Sequence, residues 1–500
     1  MKIIHSLKIL LILCLPIFSQ ENSFVRTSGI NFVLNNKPFY PVGINCYYLQ
    51  NLAAYGDTQK VIEVFENAKQ MNVNVIRTWG FFDSDDTTNP AVIQSYPGRI
   101  HENGMRALDF VISKASQYNI KLIIPLVNNW EDYGGMNQYV KWLVGDSSIA
   151  KVNQIENQVW ITGTGNRKYR YFITENLTHD DFYTNTTIRG WFKYYIVSIL
   201  NRENIYTQKL YKDEPAIMMW ELANEPRSSD LTGEIVYNWI EEMAAFLKEH
   251  DTNHLLSTGE EGFDVTDEYY KSTGLFPEWF LDGTAGVSFY KNINSQLIDV
   301  ASVHHYPESW KLSLSYENSW LDEHIDLSTE IGKPLYIGEA GYRQMKFLFY
   351  DLLFKKILSS QINGILIWQY SLEGTDYFDD YSFNCLQDNK FCTLFQNYAE
   401  KVQKKDQYVV ELPEKNTILQ NYPNPFNRIS LVRYQIKKEQ YIMLELYNTL
   451  GQRVKLLRDG VHLPGEYFLV LNGDELASGV YYLVMRYRAG KIGIKILNLR

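Results

Sequence analysis

Eight apolar runs rich in β-branched and aromatic residues constrain the fold more than any other feature of this sequence. Most of them are nearly continuous in apolar character, which is typical of parallel strands buried on both faces. Helical patterns separate several of the runs, so the sequence predicts an α/β fold, a (β/α)8 TIM barrel. The predicted strands are Pro41–Tyr48, Val73–Phe81, Ile120–Trp130, Ala216–Pro226, Asn253–Gly262, Ile298–Pro307, Lys333–Gly341 and Ile362–Tyr370, and the predicted helices are Thr58–Met71, Met105–Tyr118, Leu231–His250 and Phe347–Ser359.

The character of the sequence changes near residue 405, where a charged stretch is followed by a linker-like segment. From Ile418 onward, short strand patterns are separated by turn signals, which predicts a small all-β, sandwich-like domain. The predicted domains are a signal peptide at 1–20, the barrel at 21–405, a linker at 406–417 and the all-β domain at 418–500, with strands at Ser430–Gln435, Ile442–Tyr447, Gly465–Leu471 and Val480–Tyr487.

The N-terminus has the pattern of a secretory signal peptide. Basic residues up to Lys8 precede the apolar run Ile9–Phe18, and polar chain follows. That run is shorter than the roughly 18 apolar residues that a membrane-spanning helix needs, and no other segment approaches this length. We therefore expect a secreted protein whose mature form has no transmembrane segment.

Charge and cysteine content limit the classes of partner and of scaffold. The formal net charge is −10, and without a basic stripe this argues against nucleic acid as a partner. The cysteines after the predicted signal peptide are too few for a disulfide scaffold. Cys385 and Cys392 flank a polar turn, so they either pair or remain free thiols like Cys46, and the sequence leaves both alternatives open.

Polar side chains gather where the predicted strands end. A (β/α)8 barrel builds its active site at the carboxyl ends of its strands. A single polar strand end would be uninformative, because chains leave a sheet toward solvent there. Polar or catalytic-type side chains at the ends of most of the predicted strands, however, predict an active site. The residues concerned are Arg77, Asn128, Glu225, Glu261, His304, Glu339 and Trp368.

Two of the glutamates among these residues, Glu225 and Glu339, lie in the segments Trp220–Arg227 and Leu335–Gly341. Retaining hydrolysis of a glycosidic bond needs two carboxyl groups about 5–5.5 Å apart, one as acid/base and one as nucleophile. We expect Glu225 and Glu339 to meet in one cleft, where burial or the neighbouring carboxylate raises the pKa of the proton donor. Arg77 is expected to lie near Glu339 and keep it ionised.

Other side chains suit the binding of a sugar. Asn224 can donate to a 2-hydroxyl group, an interaction that strengthens in the transition state. His304 and Tyr306 can hydrogen-bond the nucleophile or the sugar, and Trp368 offers a stacking floor. The alternative to a binding role is a place in the core for Trp79 and Trp130 and a structural role for Glu261.

The motifs that carry this chemistry are Val75–Phe81, Leu126–Trp130 with Tyr133–Gly135, Asp181–Asn185 with Ile188–Gly190, Trp220–Arg227, Gly259–Phe263, Val303–Pro307, Gly338–Glu339 and Ile367–Gln369. In this order they resemble glycoside hydrolase family 5, particularly its endo-β-1,4-mannanase branch that includes the plant enzymes. The similarity covers roughly Phe24–Tyr398. It implies a β-mannan-type polysaccharide as substrate and neither metal nor organic cofactor.

The same resemblance implies roles for individual residues. Glu225 takes the acid/base role and Glu339 that of the nucleophile. The residues that line the −1 subsite by resemblance are Arg77, Asn224, His304, Tyr306 and Trp368, and the further candidates for substrate binding are Asn128, Trp130, Trp79 and Glu261.

Two segments depart from the plant pattern. Ser148–Asp180 is an insertion relative to the shorter plant loop, so cleavage of internal bonds and release from chain ends both stay open. One of the two histidines in Val303–Tyr306 stands where an apolar residue is expected, and we assign the site role to His304, with His305 as the alternative. A β-1,4-glucanase, an exo-β-mannosidase and a carbohydrate-binding barrel without activity are the alternative functions.

The C-terminal domain resembles the sorting domains of the type IX secretion system of Gram-negative bacteria. The resemblance rests on Leu419–Asn427, Leu446–Gln452, Ala477–Tyr482 and the basic end Lys491–Arg500. It implies that the secretion machinery is a partner and that the protein is secreted or placed on the cell surface. A plain β-sandwich spacer is the alternative.

Overall fold

The computed structural model describes residues 24–144, 177–265, 280–312, 314–405, 415–419, 421, 423–427, 429–462 and 465–499. The predicted signal peptide and most of the predicted insertion and linker lie outside the described residues. The described residues form an N-terminal barrel and a C-terminal all-β domain.

The barrel strands are β1 (Val42–Asn45), β2 (Val75–Arg77), β3 (Lys121–Pro125), β4 (Ile217–Glu221), β5 (Leu255–Ser257), β6 (Ala301–His305), β7 (Leu335–Ala340) and β8 (Ile362–Ile367). They form one 8-stranded parallel sheet in the order β5-β4-β3-β2-β1-β8-β7-β6, which confirms the predicted barrel. A parallel bridge between Ser257 and Val300 joins β5 to the start of β6, so the ring is nearly closed. The strands are shorter than their apolar runs because the runs continue into buried loop ends such as Leu126 and Val127.

A helix follows each barrel strand in the chain. The helix Thr58–Gln70, which follows β1, buries Val61, Val64, Phe65 and Ala68, and these residues lie on one face of the helix. The four predicted helices, which follow β1, β2, β4 and β7, are confirmed, whereas the helices that follow β3, β5, β6 and β8 were not predicted. The helices that follow β1 to β8 are Thr58–Gln70, Glu102–Tyr118, Thr186–Leu200, Glu234–His250, Phe289–Asn294, Leu314–Ile331, Lys346–Leu358 and Asn389–Val402; the others are Leu49–Ala54, Gly135–Val144, Asp181–Thr184 and the 3-10 turn Tyr211–Asp213.

The lower interior of the barrel is apolar. Val75, Ile123 and Tyr336 belong to one buried cluster, and Val25 and Phe32 from the N-terminal segment pack against it. This segment therefore covers the amino end of the barrel, and the polar side chains of the strands converge at the opposite end. The N-terminal segment forms the antiparallel strands Arg26–Ser28, Asn31–Leu34 and Lys37–Pro38.

The C-terminal strands are β9 (Thr417–Ile418), β10 (Ile429–Ile436), β11 (Gln440–Asn448), β12 (Arg453–His462), β13 (Gly465–Asn472), β14 (Gly479–Tyr487) and β15 (Gly490–Asn498). They form two antiparallel sheets in the orders β9-β10-β13 and β12-β11-β14-β15. Val432 of the first sheet and Leu444 of the second share one hydrophobic core, as the predicted sandwich requires.

Three strands of this domain were not predicted. β9 begins at Thr417, inside the predicted linker. β12 is exposed along most of its length, so its sequence lacks the alternation of a half-buried strand. β15 does alternate isoleucines with lysines and Gly493, a strand pattern that the prediction missed.

The three cysteines among the described residues are one bonded pair and one free thiol. Cys385 and Cys392 form a disulfide whose Cα atoms are 5.6 Å apart, so the paired alternative is the correct one. Cys46 is a buried free thiol. Within the described parts of the chain, no helix is both long and apolar enough to cross a bilayer.

We expect the double variant Cys385→Ser/Cys392→Ser to lower the free energy of unfolding of the barrel by about 2–3 kcal/mol, because the bridge restricts the unfolded chain. Tryptophan fluorescence during urea unfolding measures this domain selectively, since all 11 Trp residues precede residue 406. Reductant should destabilise the wild-type barrel equally and leave the double variant unchanged. Equal stability of variant and wild type would contradict the expectation.

Candidate active site

A cavity of about 570 Å³ lies at the carboxyl end of the barrel. Most of the predicted site residues line it, and three do not. Arg77, Asn128 and His304 are almost completely buried behind its wall. The predicted residues that line the cavity are Trp79, Trp130, Asn224, Glu225, Glu261, Tyr306, Glu339 and Trp368.

The two predicted catalytic glutamates meet in this cavity. Glu339 is part of β7, and Glu225 lies on the turn after β4. A carboxylate oxygen of each and one ring nitrogen of His304 all lie within 4.8 Å of one another. This spacing is close to the separation of about 5–5.5 Å that a retaining glycosidase needs.

Glu339 is held by a cation and a hydroxyl group. Arg77 Nη1 donates to Oε1 at 2.7 Å, and the Tyr306 hydroxyl donates to Oε2 at 2.6 Å. Burial raises the pKa of Glu339 and Glu225 adds to the increase, whereas His304, Arg77 and Tyr306 lower it. Arg77 therefore favours the ionised form, as expected, but the net pKa still lies above its ordinary value.

Glu225 is held in an uncommon backbone conformation. Its φ is 50°, in the left-handed region that few non-glycine residues adopt. Its amide donates to the carbonyl of Gly259 at 2.8 Å, which anchors the turn to the end of β5. The side chain accepts from Trp130 Nε1 at 2.5 Å and contacts His304 Nδ1 at 2.8 Å. The carboxyl group is thus fixed from two sides while it lines the cavity.

The two adjacent histidines point to different environments. A register shift between Val303 and His304 in β6 accompanies the turn of His304 toward Glu225. His305 instead stacks on Trp320, with ring centroids 5.3 Å apart. Burial lowers the pKa of His304, but the charge of Glu339 and the hydrogen bond to Glu225 outweigh it, so the pKa is raised.

Arg77 connects the buried polar groups beneath the cavity. Besides Glu339, its Nε donates to Glu221 Oε2 at 2.8 Å and its Nη2 donates to Asn224 Oδ1 at 2.7 Å. Asn224 Nδ2 in turn donates to Asn128 Oδ1 at 3.0 Å. Asn128 therefore fixes the orientation of the Asn224 amide from behind, and Asn224 itself faces the cavity.

Aromatic side chains form one wall of the cavity. Trp368 stacks on Tyr47 with an interplanar angle of 8°, and its indole nitrogen donates to Asp379 at 2.8 Å. Trp79 packs beside Tyr47 with centroids 4.9 Å apart and is 5% exposed. Trp79 thus lies at the boundary between core and cavity, whereas Trp130 reaches Glu225 directly.

Glu261 lies on the opposite side of the cavity and is paired with an arginine. Arg227 donates to its Oε2 at 2.6 Å. Burial raises the pKa of Glu261 to about 7, although Arg227 opposes the increase. Both residues line the cavity, so the pair presents polar atoms to a ligand as well as bracing the strand end.

Within the described parts of the chain, Glu225, His304 and Glu339 are the group whose atoms are close enough to bind a metal ion. Their carboxylate oxygens already accept hydrogen bonds from Trp130, Arg77 and Tyr306. The arginine cation against Glu339 also repels a second positive charge. These contacts suit an organic ligand better than a metal ion.

Several residues of the site were not predicted. Arg227 and Glu221 stand inside the quoted Trp220–Arg227 motif, but the motif alone does not show which groups they contact. Tyr47 ends an apolar run and looks like a core residue in sequence. Tyr133 belongs to the quoted Tyr133–Gly135 motif but was not assigned to the site. The other unpredicted residues, which come from loops without a local pattern, are Asp132, Glu308, Ser309, Trp310, Lys311, Arg343, Asp379 and Tyr381.

Residues 22–410 match the family model described as "GH family 5 beta-mannosidase-like", and residues 420–497 match "Secretion system C-terminal sorting domain". A putative mannan endo-1,4-β-mannosidase 4 of Arabidopsis thaliana is 36% identical over 407 residues, covering 77% of this chain and 92% of the relative. Mannan endo-1,4-β-mannosidase 4 of Solanum lycopersicum is 37% identical over 386 residues, covering 72% and 86%.

Solved structures show the same relationship. The endo-1,4-β-mannanase of Rhizomucor miehei is 31% identical with a TM-score of 0.64, covering 76% of this chain and 100% of that one. The endo-β-1,4-mannanase of Thermotoga petrophila is 26% identical with a TM-score of 0.68, covering 93% and 99%. The paired carboxyl groups and the extent of these similarities identify the chain as a member of the β-mannosidase-like group of glycoside hydrolase family 5, followed by a secretion sorting domain.

Proposed function

We propose that this protein is a retaining glycoside hydrolase that cleaves β-1,4-mannosidic bonds in mannan, glucomannan and galactomannan. The observation that carries the proposal is the approach of the Glu225 and Glu339 carboxyl oxygens to within 4.8 Å in the cavity. A separation of this size leaves room for a sugar carbon between the carboxyl groups but not for an additional water molecule. The mannanases among its relatives support the choice of substrate.

Glu339 acts as the nucleophile in this proposal. Its oxygen attacks the anomeric carbon while the bond to the leaving oxygen breaks, which gives a covalent glycosyl-enzyme. Arg77 and Tyr306 each donate to one of its oxygens and hold the carboxylate in place for the attack. Both contacts favour the ionised form and oppose the effect of burial.

Glu225 acts as the acid and then as the base. It gives its proton to the leaving oxygen in the first step and removes a proton from water in the second, so it ends in its original state. The hydrogen bonds to Trp130 and His304 aim the carboxyl group while its protonation changes. Water then attacks the anomeric carbon and releases Glu339.

The other site residues bind the sugar in the −1 subsite. Asn224 Nδ2 has one hydrogen on Asn128 and a second that can be donated to a 2-hydroxyl group. Trp368, fixed by Asp379, provides the stacking floor. Trp79, Trp130 and Glu261 extend the binding surface along the cavity.

The alternative functions differ in substrate or in activity. A β-1,4-glucanase would require an equatorial 2-hydroxyl group in place of the axial one of mannose, and faster hydrolysis of cellulose than of mannan would favour it. A binding protein without activity would release no reducing sugar from galactomannan. The ordered hydrogen bonds to both carboxyl groups support an enzyme, because each orients an atom that reacts.

The sorting domain indicates that the protein is secreted or placed on the bacterial cell surface. We infer that the exporter is the type IX machinery of a Gram-negative bacterium, which recognises the domain at 418–500. A predicted signal peptide at 1–20 would direct the first step of export.

Glu339→Ala should lower hydrolysis of galactomannan by roughly 10⁴-fold, and Glu225→Gln by about 10²–10⁴-fold, because each loses a reacting group. A dinitrophenyl β-mannoside separates the roles, since its leaving group needs no acid: Glu225→Gln should still release dinitrophenol in a burst, and Glu339→Ala should not. Asp109→Asn, which alters a buried carboxyl group outside the site, serves as the control. Near-normal activity of either glutamate variant would contradict the assignment.

The first product should have the same anomeric configuration as the substrate, because two displacements at one carbon restore it. Proton NMR during the first minutes of hydrolysis of a manno-oligosaccharide distinguishes the β-anomer from the α-anomer before mutarotation. Initial formation of the α-anomer would refute the double displacement.

Deletion of residues 418–500 should retain the active enzyme inside the outer membrane, because the sorting signal is lost while the barrel keeps its own core. The location of the enzyme is measured by comparing mannanase activity in the medium with that in the periplasm. The comparison is made between full-length and shortened chains in a host that has a type IX secretion system. Equal activity in the medium would show that the domain has no part in export.

A further inference from the structure

A third carboxyl group, Glu221, lies beneath the catalytic pair. It is the last residue of β4, its side chain is completely buried, and it does not belong to the residues that line the cavity. A buried carboxylate is costly unless hydrogen bonds and an opposite charge compensate for lost hydration. Contact with the sugar therefore cannot explain why a carboxylate is buried at position 221, and another role must account for it.

Both oxygens of Glu221 accept hydrogen bonds from residues on other strands. Arg77 Nε of β2 donates to Oε2 at 2.8 Å, and the buried hydroxyl of Tyr336 of β7 donates to Oε1. Tyr336 precedes Glu339 on the same strand. Glu221 is thus fixed to the two strands that carry the arginine and the proposed nucleophile.

The contact at Nε sets the orientation of the whole guanidinium group, because the group is planar and rigid. With Nε held by Glu221, Nη1 points to Glu339 at 2.7 Å and Nη2 to Asn224 at 2.7 Å. The remaining hydrogen of Nη1 is donated to Asn45 at 3.2 Å. Without Glu221, the arginine could rotate toward Glu339 as its single anionic partner.

Charge adds a second effect to orientation. The groups that face Glu339 are Arg77, His304, Tyr306 and Glu225, and those that face Glu221 are Arg77 and Tyr336. Arg77 therefore divides its charge between two carboxylates. An arginine devoted to Glu339 alone would stabilise the carboxylate more strongly and make it a weaker nucleophile.

We propose that Glu221 is a positioning residue that orients Arg77 and offsets part of its charge, so that Glu339 is aligned and remains reactive. The proposal rests on the assignment of Glu339 as the nucleophile. Glu221 touches no substrate, and its effect passes through Arg77.

Glu221→Gln tests the proposal because glutamine keeps the shape and an acceptor for Arg77 but removes the charge. In the full-length protein with galactomannan as substrate, we expect kcat to fall about tenfold and KM to change less than about twofold. The acidic limb of kcat/KM should move to lower pH by roughly one unit, because the loss of a negative charge favours the ionised form of Glu339.

Asp109→Asn is a matched control. Asp109 is also a buried carboxylate that accepts hydrogen bonds from an arginine, Arg202, at 2.6 Å and a tyrosine, Tyr211, at 2.7 Å, but it lies on the helix Glu102–Tyr118. Its substitution should lower thermal stability and leave the pH profile in place. A structural role for Glu221 would give the same result as this control.

An acidic limb of Glu221→Gln that coincides with the wild-type limb would overturn the proposal, even if kcat falls. If Glu221→Gln does not fold, Glu221→Asp is the second variant, because it keeps the charge but draws the carboxylate away from Arg77. We expect kcat to fall at least about fivefold while KM changes less than about twofold, and a wild-type kcat would overturn the proposal. A wild-type protein without activity on mannan would refute the proposed function itself, which separates the two failures.

Discussion

The buried guanidinium of Arg77 is the constraint on which the arrangement of the site depends. A charge removed from water is stable only where opposite charges and hydrogen-bond acceptors surround it. Arg77 finds these acceptors on β1, β4 and β7 and on the turn after β4. Since arginine keeps its proton under all ordinary conditions, this set of contacts persists while other groups of the site gain and lose protons.

The barrel makes room for this network by separating apolar and polar side chains along its axis. The N-terminal segment covers the amino end, and the cluster around Tyr336 fills the lower interior. Above that layer, Glu221, Arg77 and then Glu339 follow each other toward the cavity. The polar groups are thus supported from below by close packing, which limits their movement. The strained backbone of Glu225 is held by the same rigid frame.

The sequence was sufficient for the fold of the barrel because parallel strands buried on both faces leave continuous apolar runs. It also predicted the two glutamates, because each stands near the carboxyl end of such a run. It could not show that Arg77 and His304 lie behind the cavity wall, since this depends on side-chain direction in a closed ring. Glu221 was overlooked because a single acidic residue inside an apolar run gives no sign of its partners, which lie on distant strands. Asp379 holds Trp368 from a loop that has no periodic pattern at all.

The two domains have hydrophobic cores made of entirely different residues, such as Val64 in the barrel and Val432 in the sandwich. A protease that cut the connecting segment would expose no interior side chain of either core. Loss of the C-terminal domain after export would therefore leave both cores intact, and the remaining barrel would still contain all the residues that line the cavity.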